Sequence, residues 1–332
     1  MRVFVTGASG FVGNHLARVL AERGDQVRCL LRQSSPRDLL HGLDVELVTG
    51  DLRDPASLRA GIRGVDVVYH CAADYRLYVP DPKTMYACNV DGTRNVIQVS
   101  AECGVERVIY TSTVGALGLR SDERPADEST PVTIHDMVGH YKRSKYLAER
   151  VAEQWAGKGF PVVIVNPSAP VGDGDVKPTA TGKMIVDFLN GKVPAYVDTG
   201  LNLVDVRDVA LGHVLAAERG RTGDKYILGN RNMSLKAIFT ALSELSGRPA
   251  PRLRMPHWVP MSFAALDTAW ARLRGGEPGV SIDSVRLSKK KMYFDAGKAV
   301  RELGLPQTPV EEALRRAVTW FHDHGYAGET VH

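Results

Sequence analysis

Residues Met1–Gly13 read MRVFVTGASGFVG. An apolar run, Val3-Phe4-Val5, meets Gly7, and Gly10 and Gly13 follow at intervals of three. A helical period then begins at Val12. At a strand-to-helix turn, glycine permits positive φ and lets backbone approach a ligand closely. The helix behind it offers free N–H groups and the positive end of its dipole, a place for a pyrophosphate. On this reading Gly7 makes the turn, Gly10 admits the phosphates and Gly13 lets helix and strand pack tightly. A glycine triplet alone is weak evidence. Its place behind a strand and before a helix separates it from an ordinary glycine-containing turn.

Outward from this turn the pattern repeats. Strands read at Val3–Thr6, Val27–Leu31, Val45–Thr49, Val67–His70, Arg107–Thr111 and Val162–Val165. Helical periods fill the gaps at Val12–Arg23, Pro55–Arg63, Asn89–Cys103 and Tyr141–Ala156. Alternating elements with near-continuous apolar strands predict an α/β fold, a doubly wound parallel sheet of Rossmann type. Past Asn166 the rhythm breaks at Pro167, Pro170, Pro178 and Pro194, and a helical period returns over Val204–Glu218. From Ser234 helices dominate, so a smaller, mostly helical C-terminal part is expected. The division predicted is 1–166 with 200–227 for the dinucleotide-binding domain, and 167–199 with 228–332 for the substrate-binding part.

Bulk properties narrow the classes. The 332 residues are 44% hydrophobic, enough for one large domain or two sharing a core. A net charge of +4 without a basic stripe argues against nucleic acid. No basic start with an apolar stretch behind it marks a signal peptide, and no apolar run reaches membrane-spanning length. Four cysteines without a C-x-x-C pair read as reduced, mostly buried thiols of a cytoplasmic protein. No G-x-S-x-G elbow suggests a hydrolase. The ten histidines show no H-E-x-x-H or other ligand spacing, so no metal is expected.

The end of the second strand bears on the cofactor. An acid there would bond the ribose 2′-OH of NAD. This chain has Leu31 and then Arg32, a partner for a 2′-phosphate with help from Ser34, so NADP is expected ahead of NAD. Asp51 and Leu52, after the third strand, are candidates to hold the adenine. Tyr141 and Lys145 stand four apart, on one helix face. A free tyrosine has a pKa of about 10, and a nearby ammonium with an oxidised nicotinamide would lower it toward neutrality. Tyr141 would then exchange a proton with an alkoxide or alcohol, and Lys145 would also hold the nicotinamide ribose. Thr113, in YTSTVG at the C-terminal end of the fifth strand, offers a hydroxyl to the reacting carbonyl.

Taken in order, Gly7/Gly10/Gly13, Asp51, HCAA at His70–Ala73, Asn89, Thr113, Tyr141 and Lys145 resemble the extended short-chain dehydrogenase/reductases. The resemblance covers essentially the whole chain, including NLVDVRDVALGHVLAAE from Asn202. Through ADYRLY, GHYKRSK, NPSAPVG and PAYVDTGLNLV it is similar to hopanoid-associated sugar epimerases and dihydroflavonol-4-reductases. It implies Tyr141 as general acid/base, Lys145 as its partner and Thr113 as the orienting hydroxyl, in place of the more common serine. Asn89 would be structural or part of a proton relay. Implied cofactor contacts are Gly7, Ser9, Gly10, Phe11, Val12, Gly13, Arg32, Asp51, Leu52, Ala72, Ala73, Asn89, Tyr141, Lys145 and Pro167. Candidate substrate contacts are Asp74, Tyr75, Arg76, His140, Ser168 and Asn202, on loops after the fourth to sixth strands.

The expected function is NADP-dependent hydride transfer at a carbonyl or secondary alcohol of a sugar-like or polyol-like small molecule, with hopanoid biosynthesis as the implied setting. Val114-Gly115 replaces the acidic pair that dehydratases carry after Thr113, which argues against elimination. The alternatives are a nucleotide-sugar epimerase that retains its cofactor and a non-catalytic NADP(H)-sensing regulator. The resemblance also implies a homodimer. The apolar stretch Met255–Leu273, with Trp258, Phe263 and Trp270, is read as core, a lid, or a peripheral membrane contact.

Overall fold

The computed structural model describes residues 1–76, 79, 81–262, 264, 267, 270, 285, 286 and 288–328. Seven strands form its main sheet: β1 (Arg2–Thr6), β2 (Gln26–Leu31), β3 (Val45–Thr49), β4 (Val67–His70), β5 (Arg107–Thr111), β6 (Val162–Pro167) and β10 (Lys225–Leu228). Their order is β3-β2-β1-β4-β5-β6-β10, and all pairs are parallel. Strand order reverses between β1 and β4, so a crevice opens at their C-terminal ends, the ligand position of such sheets.

Helices cover both faces. α1 (Phe11–Glu22) and α7 (Val206–Arg219) pack together on one side, over Val3, Val5, Ile109, Val163 and Tyr226. α2 (Pro55–Ile62), α4 (Gly92–Glu102) and α5 (Gly139–Gly157) cover the other, over Phe4, Val68, Val108 and Ile164. Burial on both faces explains why β1, β4, β5 and β6 are nearly unbroken apolar runs. The helix read from Asn89 begins earlier. α3 (Lys83–Tyr86) passes through a π-turn at Ala87–Asp91 into α4, and Asn89 sits in that turn.

A second core lies beyond the sheet's C-terminal edge. It joins α6 (Ala180–Leu189), α8 (Leu235–Ser246) and the helix Val310–Asp323 with β7 (Ala169–Val171), β9 (Gly200–Asp205) and β11 (Arg231–Ser234). Strands thus accompany the helices expected there. β9 pairs parallel with β7 and antiparallel with β11. The helical period read from Val204 divides into β9 and α7, with Asp205 capping α7 through Arg207 N at 2.9 Å. Of Met255–Leu273, Trp258 and Trp270 are exposed, and Phe263 lies outside the described residues. No helix among the described residues is long and apolar enough to cross a membrane.

Candidate active site

The glycine turn is built around two close backbone approaches. Gly7 is left-handed at φ +78, and a Cβ on it would lie 2.7 Å from Ala72 N at the end of β4. A Cβ on Gly13 would lie 2.1 Å from Gly7 O. Gly10 differs: its Cβ would meet only Gly7 O, at 3.3 Å, and otherwise open space. Gly10 caps α1 without a side-chain hydrogen bond, and the first turn holds no acid. Ser9, Phe11 and Val12 surround this N-terminus. An uncapped helix end beside an open glycine at the switch point fits the pyrophosphate of a dinucleotide.

The adenosine end has its own chemistry. Arg32 is exposed at the end of β2, and its charge is felt at Asp51 and Asp74. Its backbone N–H donates to Ser35 Oγ at 3.2 Å. Arg53 holds Asp51 from side chain and backbone at 2.8–2.9 Å and pulls its pKa down to about 2. Leu52 is buried, and its carbonyl accepts from Asn95 at 2.9 Å.

Between the two ends runs a buried polar network. Thr6 Oγ1 accepts from Ala72 N at 3.1 Å and lies 2.8 Å from His70 Nδ1. His70 Nε2 is 3.0 Å from Thr93 Oγ1, which donates to Asn89 O at 2.6 Å. Asn89 accepts from Asp74 N at 2.7 Å and donates to Asp74 O and Ser144 Oγ, each at 2.9 Å. Ser144 in turn donates to Tyr141 O at 2.8 Å. Asn89 therefore ties the loop after β4, beyond Ala72 and Ala73, to the helix that carries Tyr141.

Tyr141 and Lys145 project from α5 toward the C-terminal end of β5. The Tyr141 phenol shares a hydrogen bond with Thr113, whose hydroxyl also accepts from Gly115 N at 3.0 Å. Burial pushes the phenol up to about 12 and the Thr113 bond pulls only weakly against it. The lowering expected from the sequence draws on an oxidised nicotinamide as well as on an ammonium, and burial acts in the opposite direction. Lys145 does not reach Tyr141; its Nζ donates to Thr111 O at 2.7 Å and Tyr110 OH at 3.1 Å. Burial brings this ammonium down to about 8, against the attraction of Glu149.

Glu149 is a partner that sequence reading missed. It stands one more helical step along the Tyr141–Lys145 face and is fully buried. It accepts from Ser112 Oγ at 2.5 Å, Asn166 Nδ2 at 2.8 Å and Lys225 Nζ at 2.8 Å. Asn166 also donates to Thr113 O at 3.1 Å. The i, i+4 count, carried one step past Lys145, finds Glu149 in the sequence; nothing local finds Asn166 or Lys225.

The proposed substrate residues divide. Asp74 pairs with Arg76 at 2.6 Å; burial opposes ionisation, and the Arg76 hydrogen bonds hold the carboxyl below its ordinary value. Tyr75 beside them is 48% exposed, open to a ligand. His140, adjacent to Tyr141, lies 3.2 Å from Tyr86 OH through Nδ1. Ser168 follows Pro167 at the end of β6, and its Oγ is buried without a hydrogen-bond partner among the described residues. Asn202 stands apart. Its amide bonds Asn230, Asn232 and the carbonyl of Phe294 at 2.9–3.3 Å, which makes it a brace of the C-terminal strands. Among the described residues no three His, Cys, Asp or Glu gather to hold a metal.

Known proteins agree with this geometry. Residues 3–229 match the family described as the NAD dependent epimerase/dehydratase family. A Synechocystis sp. protein provisionally named dihydroflavonol 4-reductase is 48% identical over 327 residues, spanning 97% of this chain and 95% of that protein. Sterol demethylase protein B of Methylococcus capsulatus is 35% identical over 327 residues, spanning 98% and 99%. The crystal structure of gox2253 superposes with a TM-score of 0.88 at 48% identity, over 98% of this chain and 99% of that one. A parallel sheet with its glycine turn at the switch point, and this family match across most of the chain, make the protein a nicotinamide-dependent oxidoreductase or epimerase of the NAD dependent epimerase/dehydratase family, within the extended short-chain dehydrogenase/reductases.

Proposed function

We propose that the protein is an NADP-linked carbonyl reductase that delivers hydride to a sugar-like or polyol-like substrate. The observation that carries this reading is the protonated Tyr141 phenol, hydrogen-bonded to Thr113 at the open end of the sheet. The nicotinamide, when bound, supplies the hydride. Thr113 and Tyr141 orient the carbonyl oxygen, and Tyr141 gives its proton to the alkoxide that forms. Lys145, freed from Thr111 O and Tyr110, turns its ammonium to the nicotinamide ribose. Gly10 and the first turn of α1 hold the pyrophosphate, and Arg32 holds the 2′-phosphate.

Reduction is favoured over epimerisation because burial holds the phenol at about 12, so the protonated form that a reduction starts from is populated near neutrality and the phenolate that an initial oxidation needs is scarce. The Synechocystis relative is named for a reductase activity, which supports the same choice. The reading extends to a homodimer working in hopanoid biosynthesis, with 167–199 and 228–332 forming the substrate part. The test is the fate of the hydride. With a panel of ketones and ketoses, absorbance at 340 nm should fall in proportion to product with NADPH, more slowly with NADH, and Arg32→Ala should erase that difference. Full turnover with only a catalytic trace of cofactor would identify an epimerase instead.

A further inference from the structure

On the substrate side of Tyr141 a second lysine faces the site. Lys142 is the next residue along α5, so it projects to a different side of the helix than Lys145. Its stem lies against the Thr113 turn: a Cβ on Gly115 would stand 3.4 Å from Lys142 Cε and 3.3 Å from Thr113 Oγ1. Among the described residues, the one hydrogen-bond partner of Lys142 Nζ is the Met292 thioether, a weak acceptor at 3.8 Å. Lysine carries three donors, and Lys142 lines a cavity of about 70 Å³ together with Gly115, Met137, Arg286, Lys290 and Met292. The one carboxylate in the lining, Asp136, is engaged by the backbone N–H and hydroxyl of Thr133 at 2.8 and 2.9 Å. Among the described residues the lining thus carries three cationic side chains against one engaged carboxylate, so the cavity is positive. Burial and the Lys290 charge bring the Lys142 ammonium down to about 8, as expected for a cation lacking an anion.

We infer that Lys142, with Lys290 at the rim, binds a small oxyanion carried by the substrate, a carboxylate or a phosphate, close to the carbonyl that Thr113 and Tyr141 hold. The cavity has room for one such group. The shared Gly115 turn places the anion within a few atoms of the reacting carbonyl, as in an oxo acid or a ketose phosphate. This names a substrate class for the proposed reductase and rests on that reading only for the place of the carbonyl.

Two matched pairs test it on the full chain loaded with NADPH: 4-oxopentanoate against its methyl ester, and dihydroxyacetone phosphate against dihydroxyacetone. Ligand-dependent melting and calorimetric titration read binding without turnover. The anionic member of one pair should bind at least about tenfold more tightly than its neutral partner, the scale of a charge-assisted hydrogen bond. The pair that discriminates tells carboxylate from phosphate. Lys142→Met should collapse the preference and Lys142→Arg should keep it. The ratio of KM values within the pair should follow, with kcat for the anionic member moving less. Absence of a preference in the wild type overturns the inference, as does a preference that survives Lys142→Met. Preferential binding with no NADPH consumed would instead sink the reductase reading and leave the anion site standing. Equal consumption with both members of each pair would do the reverse.

Discussion

At Tyr141 two demands on one phenol pull in opposite directions. Burial raises its pKa to about 12, while proton exchange near neutrality is easiest for a group close to 7. The direction of reaction resolves the conflict. A reductase needs the phenol at the start of hydride transfer, and a buried tyrosine is almost wholly protonated at pH 7. An oxidation would need the phenolate, which this site disfavours until positive charge arrives beside it. Lys145 Nζ is engaged by Thr111 O and Tyr110 OH rather than by the phenol. Tyr141→Phe removes one oxygen and little volume. It should lower kcat by about 10²–10⁴-fold, as for a positioned acid/base. NADPH affinity, read by fluorescence titration, should stay within a few-fold. Retained turnover would assign the proton to another group.

At the scale of elements, the β1–α1 turn was legible because its requirements are local. Glycine at a left-handed position, glycine under a carbonyl and a strand before them all lie within thirteen residues. The Tyr141–Lys145 face of α5 was legible for the same reason. What lay hidden depends on contacts far apart in sequence. Lys225 and Asn166 reach Glu149 from β10 and β6. β7 and β11 are short, and β9 runs directly into α7, so its period of two was submerged in the helical pattern. Asn202 looked like a loop ligand because its three partners come from other segments. The turn also makes a sharp contrast available. Gly13→Ala puts a Cβ 2.1 Å from Gly7 O, a backbone atom that cannot move without opening the turn. It should destabilise by about 1–3 kcal/mol or more, the range for overpacking, and weaken NADPH binding at least as much. Gly157→Ala, at the end of α5 with nothing within 4 Å, should be neutral or slightly stabilising. Chemical denaturation and cofactor titration of both variants check the pair; equal midpoints would refute the packing argument.

At the scale of the molecule, neutral histidines buried beneath the site tie stability to pH. His70 is bonded to Thr6 and Thr93, and burial, with the Lys145 charge, lowers it to about 3. His213 lies between Val209 O at 2.7 Å and Thr111 Oγ1 at 2.8 Å, and burial lowers it to about 4. In the unfolded chain each titrates near 6.5. Between 6.5 and these folded values the unfolded state binds more protons, so stability falls as the solution is acidified. The stability is complete above about 6.5 and drains away toward pH 4. From pH 7 to pH 5 the loss is about 2 kcal/mol for each histidine. Asp175 works the other way. Burial raises it to about 6 despite its Thr179 bonds, so acidification returns about 1 kcal/mol through it. Asp208 and Glu128 are also raised by burial and carry the same sign as Asp175. A comparison of variants separates these contributions. The difference in unfolding free energy between pH 7 and pH 5, from urea titrations, should be about 2 kcal/mol smaller in His213→Gln than in the wild type, whatever the substitution does to stability at either pH alone. An unchanged difference would mean that His213 is not held neutral, and that the polar layer under Thr111 is wet.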